Sequence, residues 1–451
     1  MKRKGIMTKK DFKESVVCGL GRAVMHLQQT GNKEKYRDIV LWACRKNISY
    51  DVQCEGTRGV YVYDLICCYE DRQPFLDAVI DKFESCRRDS WDFNHYCALL
   101  GCFADDGSEQ AWDVLWKRYC VMKRELLYKR KMDNRLLERF EILAITICTG
   151  EPEVAVRVMK NIASLMELNH LYEWADFYWL NTNIEDTLGK GRYKREIKNL
   201  GKKGEGAGAM LYQSCYEERK ESRKHIVRND NMLSYGQLMD LFRNRDEETV
   251  LFSFRAYKYL QKMNKLLQFA NDTVLEKDEG IKARMLEVFS RTRWPLEPDI
   301  LIGYVKNGGG ALQERALGAL ARIQNAIVRE YALKLIGEGS FLDYAVCMLA
   351  ANYRNGDEDI LLHILQRIPV DEHSGNKWHY VYSSVFDIYE KGRVKKAPKR
   401  VLYYLYEHTH CGMCRELYVR EMMRRHILTP EIKAECRWDS NDGVRELVMR
   451  G

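Results

Sequence analysis

A chain of 451 residues is too long for one ordinary hydrophobic core, so it forms several domains or one elongated stack of repeats. Hydrophobic residues make up 46% and aromatics 11%, which excludes wholesale disorder, and only 7 prolines interrupt long helical patterns, which points to an all-α chain. A net charge of +8, from 73 basic and 65 acidic residues, is too small a surplus to mark a general nucleic-acid binder, though it leans toward an acidic partner.

The first helix is predicted over Phe12 to Gln29 with Asp11 as its N-cap, and a second over Lys33 to Lys46 after the break at Gly31-Asn32. The pattern restarts at Gly56-Thr57-Arg58-Gly59, with Tyr61, Leu65 and Tyr69 on one face, and Pro74 falls at a helix start. From Trp91 a grammar of helix, tight turn and returning helix becomes explicit. Phe93 to Ala104 turns at Asp105-Asp106-Gly107-Ser108-Glu109 into Ala111 to Tyr119. Leu136 to Thr149 turns at Gly150-Glu151-Pro152-Glu153 into Val154 to Leu165. Far downstream, Phe341 to Tyr353 turns at Asn355-Gly356-Asp357-Glu358 into Ile360 to Ile368. Each time a glycine ends one helix in the left-handed region and an acidic or hydroxyl residue opens the next, where acids also suit the helix dipole.

Between these copies, residues 189–210 are rich in glycine and lysine and read as a basic loop or linker, separating N-terminal repeats (1–188) from C-terminal repeats (211–451). Charged Gln213 to Arg228 and apolar-striped Glu248 to Ala270 are predicted helices, and Ile281 to Phe289 ends before Pro295 and Pro298. Gly310 to Ile323 and Ile327 to Ile336 form two short amphipathic helices studded with small residues; neither can bury its stripe without a neighbour. Residues 391–400 form another basic connection.

Cysteines such as Cys44, Cys67, Cys68, Cys97, Cys102 and Cys148 lie inside apolar helical patterns, the usage of reduced, buried thiols. The basic start Met1-Lys2-Arg3-Lys4-Gly5 is followed by no apolar h-region, and no run approaches the ~18 apolar residues of a membrane span. A cytoplasmic protein without a membrane partner is expected.

Antiparallel helix pairs with small residues inside and Val-Arg at the start of the second helix resemble HEAT-type repeats. The segments carrying the resemblance are Ala155-Val156-Arg157, Ile327-Val328-Arg329 and Asp442-Gly443-Val444-Arg445. The tail, from Tyr406 through His408-Thr409-His410-Cys411-Gly412-Met413-Cys414 to Trp438-Asp439-Ser440, is similar to the end of uncharacterised bacterial HEAT-repeat proteins. The resemblance implies a right-handed α-α superhelix with a concave binding face. It also implies that Arg157, Arg329 and Arg445 tie neighbouring repeats through acidic turn residues.

Three groups are candidates for chemistry or binding. His408, His410, Cys411 and Cys414 place soft and borderline ligands within reach of one structural zinc, with Cys436 or His426 as the distant contributor. The same two cysteines, one turn apart at a helix start, also suit buried thiols or a redox pair. Lys190, Arg192, Lys194, Arg195, Lys198, Lys202 and Lys203, with Tyr193 among them, can contact phosphates and stack on a base, or are solvated charge. Glycines 201, 204, 206 and 208 beside Lys202 and Lys203 lack the order and the strand of a P-loop. Tyr172, Trp174, Phe177, Tyr178 and Trp179 cover several faces of one segment, so Tyr172, Trp174 and Trp179 are candidate anchors for a protein partner.

No Ser–His–Asp set, paired catalytic carboxylates or nucleotide motif stands out. The expectation is a non-enzymatic scaffold without a cofactor, holding a protein partner on the concave face of a solenoid. The alternative is nucleic-acid binding through the basic stretches 190–203 and 391–400. HEAT-like alkylpurine DNA glycosylases show that such an architecture also acts on damaged DNA, but their active-site tryptophan and aspartate have no matching positions here.

Overall fold

The computed structural model describes residues 7–87, 89–172, 177–202, 233–244, 250–368, 377–390 and 398–450. They are helical, with no strand among the described residues. They divide into two compact units: Met1–Arg228 with His410–Glu416 and Thr429–Gly451, and Asn229–Thr409 with Leu417–Leu428.

The first unit is built from α1 (Lys9–Cys18), α2 (Arg22–Gln29), α3 (Arg37–Cys44), α4 (Val52–Glu55), α5 (Gly59–Ile66), α6 (Gln73–Ser85), α7 (Ser90–Asp105), α8 (Glu109–Tyr128), α9 (Asn134–Cys148), α10 (Pro152–Leu168) and α11 (Tyr178–Lys202). From α5 onward most helices pack on the next and on the next but one: α5, α7, α9 and α11 neighbour each other in turn, as do α6, α8 and α10. One apolar core runs through all of them. The turn grammar explains the hairpins. Gly107 (φ 92°) and Gly150 (φ 75°) leave α7 and α9 in the left-handed region, which a Cβ disfavours. Ser108 then accepts the Ala111 amide at 3.2 Å to open α8, whereas α10 opens on Pro152 with no side-chain cap.

Several boundaries differ from expectation, each for a local reason. Phe12 to Gln29 is two helices, because Gly19 turns left-handed (φ 74°) and ends α1. The N-cap of α1 is Thr8, in a reciprocal capping box with Asp11. In the second unit, Glu248 to Ala270 is likewise split, into Val250–Lys262 and Leu266–Leu275, at Asn264 (φ 53°). The basic loop expected from residue 189 is instead α11 as far as Lys202. Gly189 (φ 72°, ψ 145°) is a kink inside it, and Tyr193, Ile197 and Leu200 recur at helical spacing on a buried face. Residues 203–232 and 391–397, with the helix expected over Gln213 to Arg228, lie outside the described residues.

In the second unit, Gly310–Leu320 and Ala326–Glu338 form as predicted, and Leu342–Ala351 packs on the latter and on Glu358–Leu365. Here Gly356 (φ 103°) makes the turn, but Asp357 does not cap the following helix. Its carboxylate takes both ends of the Arg329 guanidinium, at 2.6 and 2.8 Å, and the Arg354 amide at 2.7 Å.

His95, on α7, is completely buried. Its Nε2 faces the Ala43 carbonyl at 2.8 Å, so that nitrogen carries the proton, and Nδ1 accepts from the Thr57 hydroxyl at 3.0 Å. Burial lowers its pKa from the usual 6.5 to about 4. The neutral form is therefore the one that folds: the contribution is complete above pH 6.5 and drains away as pH falls toward 4. Unfolding free energy measured by urea titration should carry a His95 component with a slope of about 1.4 kcal/mol per pH unit in that window. The slope should shrink in His95→Gln. An unchanged slope would show that His95 does not titrate with unfolding.

Candidate binding surface

One edge of the first unit combines exposed apolar side chains with exposed cations. Helices α8 and α10 end there and α9 begins there, while the first turn of α11 lies beside the middle of α9, where the Leu180 amide donates to Glu141 at 3.2 Å. Asn169, just past α10, sets the spacing: its side-chain amide reaches the carbonyls of Leu126, Leu127 and Lys129 at 2.9, 3.3 and 3.1 Å. This fastens the end of α10 beside the end of α8. The apolar side chains around that fastening stay in solvent: Tyr128 is 80% exposed and Leu168 67%, with Met132 and Leu171 also open. Trp179, at the start of α11, is 69% exposed with its ring 5.0 Å from that of Tyr178. A scattered exposed leucine needs no explanation, but a tyrosine, a methionine and two leucines around one fastening, with a tryptophan open on the neighbouring helix, do. Arg130 and Lys131 are exposed in the same α8–α9 loop, while Lys129 pairs with Asp133 at 3.0 Å.

Of the three anchors expected from the sequence, Trp179 alone is open among the described residues. Tyr172 is not an anchor: the 3-10 turn His170–Tyr172 folds its ring into the core, where it is 0% exposed. Trp174 lies outside the described residues. The basic residues divide in the same way. Lys190, Lys194 and Lys198 recur every fourth residue of α11 and are exposed, with Arg195 beside them. Arg192 is engaged by Glu153 at 2.6 Å. Tyr193 faces the core, so it offers no ring for a base to stack on. Lys202 closes α11, and Lys203 is outside the described residues.

The three arginines of the Val-Arg segments make different contacts. Arg329 reaches the turn carboxylate of Asp357 and also donates to the Asn352 carbonyl at 3.1 Å. Arg157, on α10, finds a ring rather than a carboxylate: its guanidinium lies over Trp116 of α8 at 4.4 Å. Arg445 donates to Asp64 on α5 at 3.1 Å and to the Asp439 carbonyl.

The tail residues singled out as candidate metal ligands differ in exposure and in the groups they meet. His408 is exposed, stacked on Tyr404 at 4.0 Å, with Nδ1 2.9 Å from the Tyr404 carbonyl. Cys411 and Cys414 are buried, their sulfurs within 4.8 Å of one another, and the Cys414 amide points at the Cys411 sulfur at 3.5 Å. His410 presents its ring edge-on to Tyr50 at 6.4 Å. Glu55 accepts the Gly412 amide at 2.9 Å, and buried Arg58 donates to the carbonyls of His410 and Val17 and to Glu55. Elsewhere, burial pushes the thiols of Cys44 and Cys148 up to about 12, which keeps them inert. Cys67 departs from expectation and is exposed.

What the sequence did not disclose is how the tail docks. Arg415 and Asp439, both 0% exposed, pair at 2.7 and 2.9 Å, and Arg415 also reaches the Ser440 hydroxyl at 3.2 Å and the Gly19 carbonyl at 3.4 Å. The Ser440 amide donates to Gly19 at 2.9 Å and Arg22 pairs with Glu435 at 2.8 Å. The last segment of the chain is thereby clasped to its first two helices.

Among the described residues, no helix is long and apolar enough to cross a membrane. Comparison with family models, with curated proteins and with solved structures finds no match to this chain.

Proposed function

We propose that the protein is a cytoplasmic, non-enzymatic binding scaffold of HEAT-like helical hairpins, and that it holds a protein partner at the α8–α11 edge. The observation that carries this reading is the exposure of Tyr128, Met132, Leu168 and Leu171 beside Arg130 and Lys131, with Trp179 open at the start of α11. Aromatic anchors rimmed by cations suit a partner segment that is apolar in the middle and acidic at its borders. The alternation of packed neighbours from α5 to α11 supports the repeat reading, as does the contact of Arg329 with the turn carboxylate of Asp357.

If Trp179 is a hot spot, Trp179→Ala weakens the complex by about 2 kcal/mol, roughly thirty-fold. The immobilised full chain, offered host proteins, should retain a discrete partner that Trp179→Ala loses while remaining folded. Equal retention by both would remove Trp179 from the site.

A second reading rests on the exposed Lys190, Lys194, Lys198 ridge of α11. It predicts binding of labelled DNA or RNA that falls steeply with salt and is lost in the Lys190→Gln, Lys194→Gln, Lys198→Gln variant.

A further inference from the structure

A second feature of the first unit lies apart from the apolar edge and is independent of it. Arg118 on α8 and Arg139 on α9 both donate to one acceptor, the carbonyl of Cys86 at the end of α6, each at 3.3 Å. Their nitrogens therefore lie no more than twice that distance apart. Arg87 follows Cys86 directly and is exposed. Arg139 is only 7% exposed; its Nε is spent on the Arg135 carbonyl at 3.2 Å and its plane lies 5.8 Å from the Phe93 ring. The Nε of Arg118 is buried without a hydrogen-bond partner.

Among the described residues, no carboxylate pairs with any of the three. The nearby acids are used elsewhere: Asp89 caps α7 through the Trp91 and Asp92 amides, and Glu138 accepts the Ser90 hydroxyl at 2.9 Å. Glu125 acts on Arg118 only through space.

The bland explanation is a helix C-terminus neutralised by cations. A helix end presents about half an elementary charge, so it cannot balance two converging guanidiniums and a third beside them. Burial, together with the charges of Arg87 and Arg139, holds Arg118 below the usual guanidinium value, as expected where positive charge is in surplus.

We infer that Arg87, Arg118 and Arg139 form a binding site for a phosphate-type oxyanion, free or carried on a small molecule. Guanidinium forks match the spacing of phosphate oxygens and keep their charge when partly buried, which lysines do not. The anion would take the place of the missing carboxylate and would fix α6, α8 and α9 to one another.

The test is calorimetric titration of the full-length protein with inorganic phosphate, and separately with phenyl phosphate, at constant ionic strength set by chloride. Saturable one-to-one binding is expected, weakened at least tenfold by Arg118→Gln and by Arg87→Gln. Both side chains are at least partly open, so these variants should keep the fold, which far-UV circular dichroism verifies. The Lys190→Gln, Lys194→Gln, Lys198→Gln variant should bind as the parent does, separating this site from general surface charge. Tighter binding of phenyl phosphate would place the anion on an organic carrier; tighter binding of inorganic phosphate would make the free ion the ligand; either upholds the site. Heat that tracks ionic strength alone, or undiminished binding by folded Arg118→Gln, would overturn it.

Discussion

Replacing Arg415 by methionine should destabilise the first unit by about 3–5 kcal/mol, the range found when one partner of a buried ion pair is removed. The expectation follows from complete burial: both side chains are 0% exposed, so Asp439 would be left charged in a dry site. Among the described residues it would keep only the Asn441 amide, at 2.9 Å. The same substitution removes the donors to Ser440 and Gly19, and with them part of the seam between tail and first helices. Amide hydrogen exchange should therefore quicken in residues 430–450 and 9–29 together, ahead of α7 to α10. The paired change Arg415→Met with Asp439→Leu should recover much of the loss, because an apolar pair of similar volume often matches a buried ion pair. A single variant as stable as the parent would mean that the pair contributes nothing the tail requires.

Gly21→Ala should cost about 3 kcal/mol, the upper end of what overpacking a filled core costs. The backbone at Gly21 is ordinary (φ −61°), so clearance rather than conformation makes glycine necessary. A Cβ there would stand 2.0 Å from the Glu435 carbonyl oxygen and 2.9 Å from the Trp438 backbone, neither of which can swing aside as a side-chain tip can. The tail would have to shift, loosening the Arg22–Glu435 pair and the Trp438 contact with the core. Gly31→Ala is the control, since nothing lies within 4 Å of its Cβ position and its φ is not left-handed. Urea midpoints of the two variants should differ clearly; equal midpoints would show that the tail does not press on Gly21.

The hairpins were legible because their signals are local. Gly107 and Gly150 adopt positive φ where a glycine closes a helix, and Pro74 opens one; Gly356 is also at positive φ, but it sits in the turn before the next helix, the preceding one having ended at Ala351. α11 was misread because Gly189, Gly191 and a dense run of lysines masked the weaker signal of Tyr193, Ile197 and Leu200. The break at Asn264 has no strong marker, since a residue with a Cβ takes the left-handed turn there. Tyr172 and Trp179 share one aromatic cluster, and only the 3-10 turn that folds Tyr172 inward separates core from surface. The clasp of Arg415, Asp439 and Glu435 on Gly19 and Arg22 joins residues hundreds of positions apart, which no periodicity encodes. Arg118 and Arg139 likewise look like ordinary helix-surface charges until α6, α8 and α9 bring them to one carbonyl.

Reception of a protein partner at the α8–α11 edge is the expected function. It is tested most directly by placing a photoreactive side chain at position 179 and irradiating the full chain in host extract at low and high salt. A discrete protein adduct that persists at high salt is expected, because an apolar contact responds little to ions. Adducts made of nucleic acid, or protein adducts that vanish as salt rises, would contradict it and shift the function to the lysine ridge of α11.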